Sequence, residues 1–325
     1  MPIAIGIKIV QGRGWNRVKI SLIIPTLNAG KYIEPLLKRI KEQTIPVDEI
    51  VIVDSSSDDD TVIKAQKFDD VKVISIERKD FNHGGTRDLA IQQTTGDIIL
   101  CLTQDALPCD EYYVEHLIAP FAEDEKIAMA SGRQVPREDA NPIEKLTREF
   151  NYPEMSFVRS KEDIPRLGIK TFFASDCCSA YRRTAYEAIG GFDKHILINE
   201  DMKIAAQFIY AGYKIAYVGT AGVWHSHDYS LKQQYTRNFD VSAFMTMHPE
   251  LFGNISATSE GVKMVKWVEK KLLSQGLILS AAYYVVESAV KFLANRKGRK
   301  YKNMSLNQLH KCSMHKNYWK FGDIR

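Results

Sequence analysis

Across residues 19–105, short apolar runs alternate with helix-spaced segments, and two of the runs end in acid. Residues 19–24 read as a strand stopped by Pro25, after which Tyr32, Leu36, Leu37 and Ile40 recur at helical spacing. A second strand, 49–54, finishes on Asp54 and is followed by a short helix over 61–67. Strand three covers 71–76, a helix opened by Gly84-Gly85 runs to Thr94, and strand four covers 97–102 before Thr103-Gln104-Asp105-Ala106. Strands and helices in strict alternation predict an α/β fold with a mixed, mostly parallel sheet flanked by helices. In such sheets ligands bind at the strands' carboxyl ends, where these polar residues fall.

Further along, 127–134 reads as a strand and 136–170 as irregular. Helices are expected over 182–189 and 201–211, closed by Gly190-Gly191 and by Gly212. Residues 213–218 and 222–225 read as two more strands. After about residue 230 the pattern becomes helical, with Val265, Val268 and Leu272 on one face. The expected division is a loose extension over 1–17, a catalytic domain over 18–230 and a helical basic region over 231–325. Within the catalytic domain the halves are about 18–134 and 135–230.

The overall charge of +4 conceals an asymmetry, because residues 261–325 carry 14 Lys/Arg against 3 Asp/Glu, a net +11 that leaves −7 on the rest. An acidic body argues against nucleic acid as a partner, whereas the basic tail suits an anionic surface. Tyr283, Tyr284, Val285, Val286 and Phe292 precede Arg296-Lys297-Gly298-Arg299-Lys300-Tyr301-Lys302, a pattern that fits peripheral contact with a membrane. The apolar stretch 277–294 is broken by Ser280, Glu287, Ser288 and Lys291, so it is not expected to span one. The five cysteines have no CxxC spacing and read as reduced thiols. With no basic start and long apolar run near the N-terminus, the expected location is cytoplasmic, peripheral on the inner face of the plasma membrane.

Asp105, at the end of a strand, can hold a divalent cation, Mg²⁺ or Mn²⁺, and such a cation can hold a diphosphate. Asp54 ends the second strand, where its carboxylate can meet a ligand or simply lie in a solvated Ser/Asp-rich turn. Arg87, one turn into a helix that starts on two glycines, favours an anion. Glu200-Asp201 opens a helix; either is a candidate general base, although the helix dipole alone also favours acids there. His225 and His227 alternate on an extended segment, so both can face one site. No G-x-G-x-x-G or Walker loop follows the first strand, which excludes the common dinucleotide and P-loop sites.

Residues 21–28 (SLIIPTLN) and 53–61 (VDSSSDDDT) resemble the opening of family 2 glycosyltransferases, inverting enzymes of the GT-A fold. The likeness continues through residues 85–90, 102–105, 182–183, 190–193 and Glu200-Asp201. A narrower similarity, to bacterial polysaccharide rhamnosyltransferases, rests on residues 80–87 (DFNHGGTR), 103–106, 225–228 (HSHD) and 313–319 (SMHKNYW). The resemblance implies a nucleotide-sugar site of Pro25, Thr26, Asn28, Asp54, Asn82, Arg87, Thr103, Gln104 and Asp105. It assigns Asp201 as base with Glu200 as fallback, Asp176 to the acceptor, and His225, or else His227, to the metal beside Asp105. The family usually carries two aspartates one residue apart, and here Thr103 takes the first place.

The implied donor is dTDP-L-rhamnose and the implied acceptor a lipid-linked or oligosaccharide chain. Other readings on the same scaffold are a UDP-hexose or UDP-N-acetylhexosamine donor, or a non-catalytic nucleotide-sugar-binding subunit. Assembly as a homo-oligomer stays open.

Overall fold

The computed structural model describes residues 18–253 and 258–320. The expected extension over 1–17 lies outside them. Strand β1 (Ile20–Thr26) leads to α1 (Ile33–Lys41), β2 (Glu49–Asp54), α2 (Thr61–Ala65), β3 (Val71–Ser75), α3 (His83–Ile91) and β4 (Ile98–Leu102). These are the alternating elements read from the sequence. Then come β5 (Leu107–Pro108), α4 (Tyr113–Glu123), β6 (Ile127–Val135), α5 (Pro142–Asn151), β7 (Phe157–Arg159), α6 (Ile164–Leu167), β8 (Cys178–Arg182), α7 (Arg183–Ala188), α8 (Glu200–Tyr210) and β9 (Lys214–Trp224). Helices α9 (Leu231–Met247), α10 (Pro249–Phe252), α11 (Thr258–Ser274), α12 (Ile278–Gly298) and α13 (Leu306–Cys312) follow.

One mixed sheet joins the strands in the order β3-β2-β1-β4-β8-β6-β9-β5, with β7 also on β9. β1 to β4 pair in parallel, β8 runs antiparallel between β4 and β6, and β6 pairs in parallel with β9. Alternate strand residues face opposite layers. Ile23, Val51, Val53, Ile99 and Cys101 join a core with Phe192, Phe208, Phe239 and Trp319. Leu22, Ile24, Ile50, Ile52, Leu100 and Leu102 pack with Leu36, Leu37, Ile40 and Leu117 on the other side. Both faces are therefore covered, which explains why these strands are apolar throughout. Because Phe239, Leu309 and Trp319 belong to the first of these cores, the C-terminal helices share the interior beside the sheet.

Two expectations change. Pro25 does not stop β1: it pairs opposite Val53 and lies beyond the last register pair with β4, at Ile23 and Cys101, so no ladder donor is missed on that side. The two strands expected over 213–225 are one, β9, which slips register against β6 between Gly132 and Arg133. A bulge of this kind lets a strand continue past residues that resemble a break. The region 136–170, read as irregular, holds α5, β7 and α6.

Candidate active site

The carboxyl ends of β1 and β4, the start of α8 and the segment after β9 surround a cavity of about 540 Å³. Pro25, Thr26, Arg87, Thr103, Gln104, Asp105, Asp176, Glu200, Asp201, His225 and His227 all line it, so acids and imidazoles from distant stretches meet in one cleft. Its volume falls in the roughly 300–1,000 Å³ range of small-molecule sites.

Asp105 follows β4 and faces the two histidines after β9. Its carboxylate oxygens lie 3.6 Å from His225 Nε2 and 3.9 Å from His227 Nε2. One ligand atom from each of the three residues falls within 4.8 Å of the others. Gln134 fixes the orientation of His225. Arg148, which only donates, points at Gln134 Oε1, and Gln134 Nε2 donates to Tyr152 and Ser175 at 2.8 Å each. The same Oε1 lies 2.9 Å from His225 Nδ1, so Nδ1 carries the proton and Nε2 offers its lone pair toward Asp105. Burial and the neighbouring His225 lower His227 to about 4, leaving it neutral at pH 7. Burial opposes a charged His225, but the Cys177 sulfur and Asp105 outweigh it and its pKa rises. Lone pairs facing one another around a carboxylate fit a divalent cation, and in its absence the site draws a proton.

The second cluster is closed on itself. Arg87 Nη1 pairs with Glu200 at 2.9 Å, Arg87 Nε lies 3.6 Å from Asp176, and all three are buried. Expected beside a diphosphate, Arg87 is engaged by these acids, since a buried cation requires partners. The Gly84-Gly85 pair also serves packing: a Cβ on Gly84 would lie 2.1 Å from Asp193 O, and one on Gly85 2.7 Å from Lys194 O. Asp176 accepts from Ser179 at 2.6 Å and from Tyr181, and burial outweighs Arg87 to raise it to about 6. Asp201 accepts from the Met202 and Asp176 amides at 2.7 and 3.2 Å. Burial, then Glu200 and Asp176, push its pKa well up, so that its carboxylate, once ionised, is a stronger base than an ordinary one.

Asp54, Asn28 and Asn82 do not line this cavity. Asp54 is buried and accepts from Thr26 at 2.9 Å and from Ser57 at 2.6 and 2.8 Å; Ser55, not Asp54, lines the cavity. Asn28 holds a positive φ of 50° and accepts from the Asp58 amide at 2.9 Å. Asn82 caps α3, accepting from the Gly84 and Gly85 amides, and donates to Ile196 O at 2.8 Å. Gln104 bonds both backbone groups of Leu27, and the Thr103 amide donates to Cys177 O. Gln134, Arg148, Tyr152, Tyr229 and Arg237 also line the cavity and escaped the sequence reading. Only strand pairing, Gln134 opposite Val223, brings Gln134 near His225.

The sequence model "Glycosyl transferase family 2" matches residues 21–190. The chain belongs to glycosyltransferase family 2. It is 41% identical over 310 residues to the O-antigen chain rhamnosyltransferase RfbN of Salmonella typhimurium, covering 93% of this chain and 96% of that one. It is 38% identical to the O-antigen chain rhamnosyltransferase WbaN of Salmonella anatum, covering 92% and 95%. In fold this glycosyltransferase is similar to a Pyrobaculum calidifontis mannosyltransferase solved with GDP-Man and Mn²⁺. That match has a TM-score of 0.61 at 16% identity, over 89% of this chain and 88% of that chain. Residues 1–349 of Staphylococcus aureus TarS with UDP-GlcNAc align at a TM-score of 0.53 and 14% identity, over 88% and 91%. The sheet with its helical C-terminal region is thus GT-A-like, and the enzyme's relatives build polysaccharide.

Proposed function

We propose that this enzyme is a metal-dependent, inverting rhamnosyltransferase. It would move L-rhamnose from dTDP-L-rhamnose to a hydroxyl of a growing, lipid-linked surface polysaccharide on the cytoplasmic face of the plasma membrane. The carrying observation is the convergence of Asp105, His225, His227 and Asp201 on one cavity. The choice of donor is supported by the rhamnosyltransferase relatives, aligned over nearly the whole chain.

Asp105, His225 and His227 would hold Mg²⁺ or Mn²⁺, and the ion, when bound, supplies positive charge to the donor diphosphate. Gln134 keeps the His225 ring turned so that Nε2 faces Asp105. Pro25, Thr26, Thr103 and Gln104 form the wall on which the nucleotide end rests. Asp201, in its ionised form, takes the acceptor hydroxyl proton as that oxygen attacks the anomeric carbon. Glu200 is occupied by Arg87, which leaves Asp201 as the favoured base. Attack opposite the leaving diphosphate inverts the centre, so a β-linked donor yields an α linkage.

The test is turnover of dTDP-L-rhamnose, UDP-glucose and UDP-N-acetylglucosamine with and without EDTA. We expect the rhamnosyl donor to be consumed, activity to vanish with EDTA, and Mn²⁺ or Mg²⁺ to restore it. Preferential use of a UDP-sugar overturns the donor, and full activity in EDTA overturns the metal.

A further inference from the structure

Helix α12 is built inside out. Its charged residues between 278 and 295, Glu287 and Lys291, turn inward: the Glu287 side chain is 6% exposed and pairs with Lys291 at 2.5 Å. Leu279 is 87% exposed, and Ile278, Val285, Val286, Phe292 and Leu293 are each more than half exposed. Exposed positions recur at 278/279, 282/283, 285/286, 289 and 292/293, steps of three and four that keep one continuous face. An apolar patch of this kind marks an interaction surface. At its C-terminal end stand exposed Arg296, Lys297, Arg299, Lys300 and Lys302.

We propose that this face of α12 lies in the interfacial layer of an anionic bilayer, with the basic end among the headgroups. Charge decides against a second copy. α12 presents no outward acid, Glu269 of α11 is half-buried, and neither a parallel nor an antiparallel pair of these faces would bring an acid to the basic end. Anionic lipid brings negative charge to that end and also covers the apolar stripe.

The placement also gives the acceptor a route. A second cavity of about 840 Å³ runs between α5, α9, α11, α12 and the segment after β9. It reaches Leu279 and Tyr283 on α12, and it shares Arg148, Tyr152, His227, Tyr229 and Arg237 with the catalytic cavity. The amides of Asn151, Gln234 and Asn238 line it, as suits a glycan. A seated α12 sets this cavity at headgroup level. Its use for a lipid-linked acceptor rests on the function proposed above; the docking does not.

The full chain is floated with phosphatidylglycerol-containing vesicles and with pure phosphatidylcholine, without substrate. Sedimentation and thermal melting of each variant are followed in parallel. Wild type should bind the anionic vesicles alone and lose binding as salt rises. Val286→Glu/Leu293→Glu should lose about tenfold or more at an unchanged melting temperature, since both side chains are exposed. Arg296→Gln/Lys297→Gln should lose roughly thirtyfold at low salt. Equal binding by wild type and Val286→Glu/Leu293→Glu overturns the proposal. So does a wild-type dimer that this pair of substitutions splits with no vesicle binding at all. Because binding is read without donor or acceptor, failure of the transferase reading would leave this result standing.

Discussion

Two acidic clusters share the cavity at the strands' carboxyl ends and meet their charge in opposite ways. Asp105 has only imidazoles as ion-pair partners among the described residues, with lone pairs turned toward one another. Glu200 and Asp176 close on the buried guanidinium of Arg87. The first arrangement has no Lys or Arg partner among the described residues and suits a cation from outside. The second pairs its acids with a cation of the chain's own. A carboxylate's proximity to the cavity therefore says less about its work than the partner already holding it.

The largest effect should come from Asp201→Asn, which removes the base while leaving the donor side intact. Transfer should fall about 10²–10⁴-fold with dTDP binding unchanged by calorimetry. In the proposed mechanism the ionised form of Asp201 is the base, and its pKa is raised. Wild-type transfer should therefore rise with pH through a range above that of ordinary carboxylates. A rate that is flat across that range would remove Asp201 from the role.

Arg87→Met attacks the closed cluster and leaves two buried acids unanswered. Urea unfolding should show a loss of about 3–5 kcal/mol, partly restored by Arg87→Lys. Full stability with lost activity would move Arg87 out of the scaffold and onto the substrate. Gln134→Leu frees the His225 ring in the open cluster. The Mn²⁺ concentration for half-activation should rise about 10–100-fold, with kcat recovered at saturating metal. Asn82→Ala should cost only about 1 kcal/mol, through the lost α3 cap, and leave the donor KM unchanged. A raised KM would return Asn82 to the sugar site.

The same contrast explains what the sequence could reveal. β1 to β4 were legible because both sheet faces are buried, giving unbroken apolar runs, and the polar residues of the site lie where those runs end. Asp105 was readable for that reason, and His225 and His227 through their alternation on an extended segment. β8 was not, because Cys178–Arg182 mixes small, polar and charged residues and is a strand only through its antiparallel neighbours. The Arg87 partners come from β8's approach and from α8, so no local pattern announces them. Gln134 orients His225 through strand pairing alone. In α12 the apolar residues were evident, but the inward turn of Glu287 and Lys291 depends on packing beside α9.

Binding of Mn²⁺ in the presence of dTDP, followed by electron paramagnetic resonance, reaches the open cluster without relying on turnover. Wild type should take up one ion per chain, Asp105→Ala and His225→Ala should each weaken uptake at least about tenfold, and Arg87→Lys should leave it near normal. Undiminished uptake by both Asp105→Ala and His225→Ala would contradict the assignment of that cluster as the metal site.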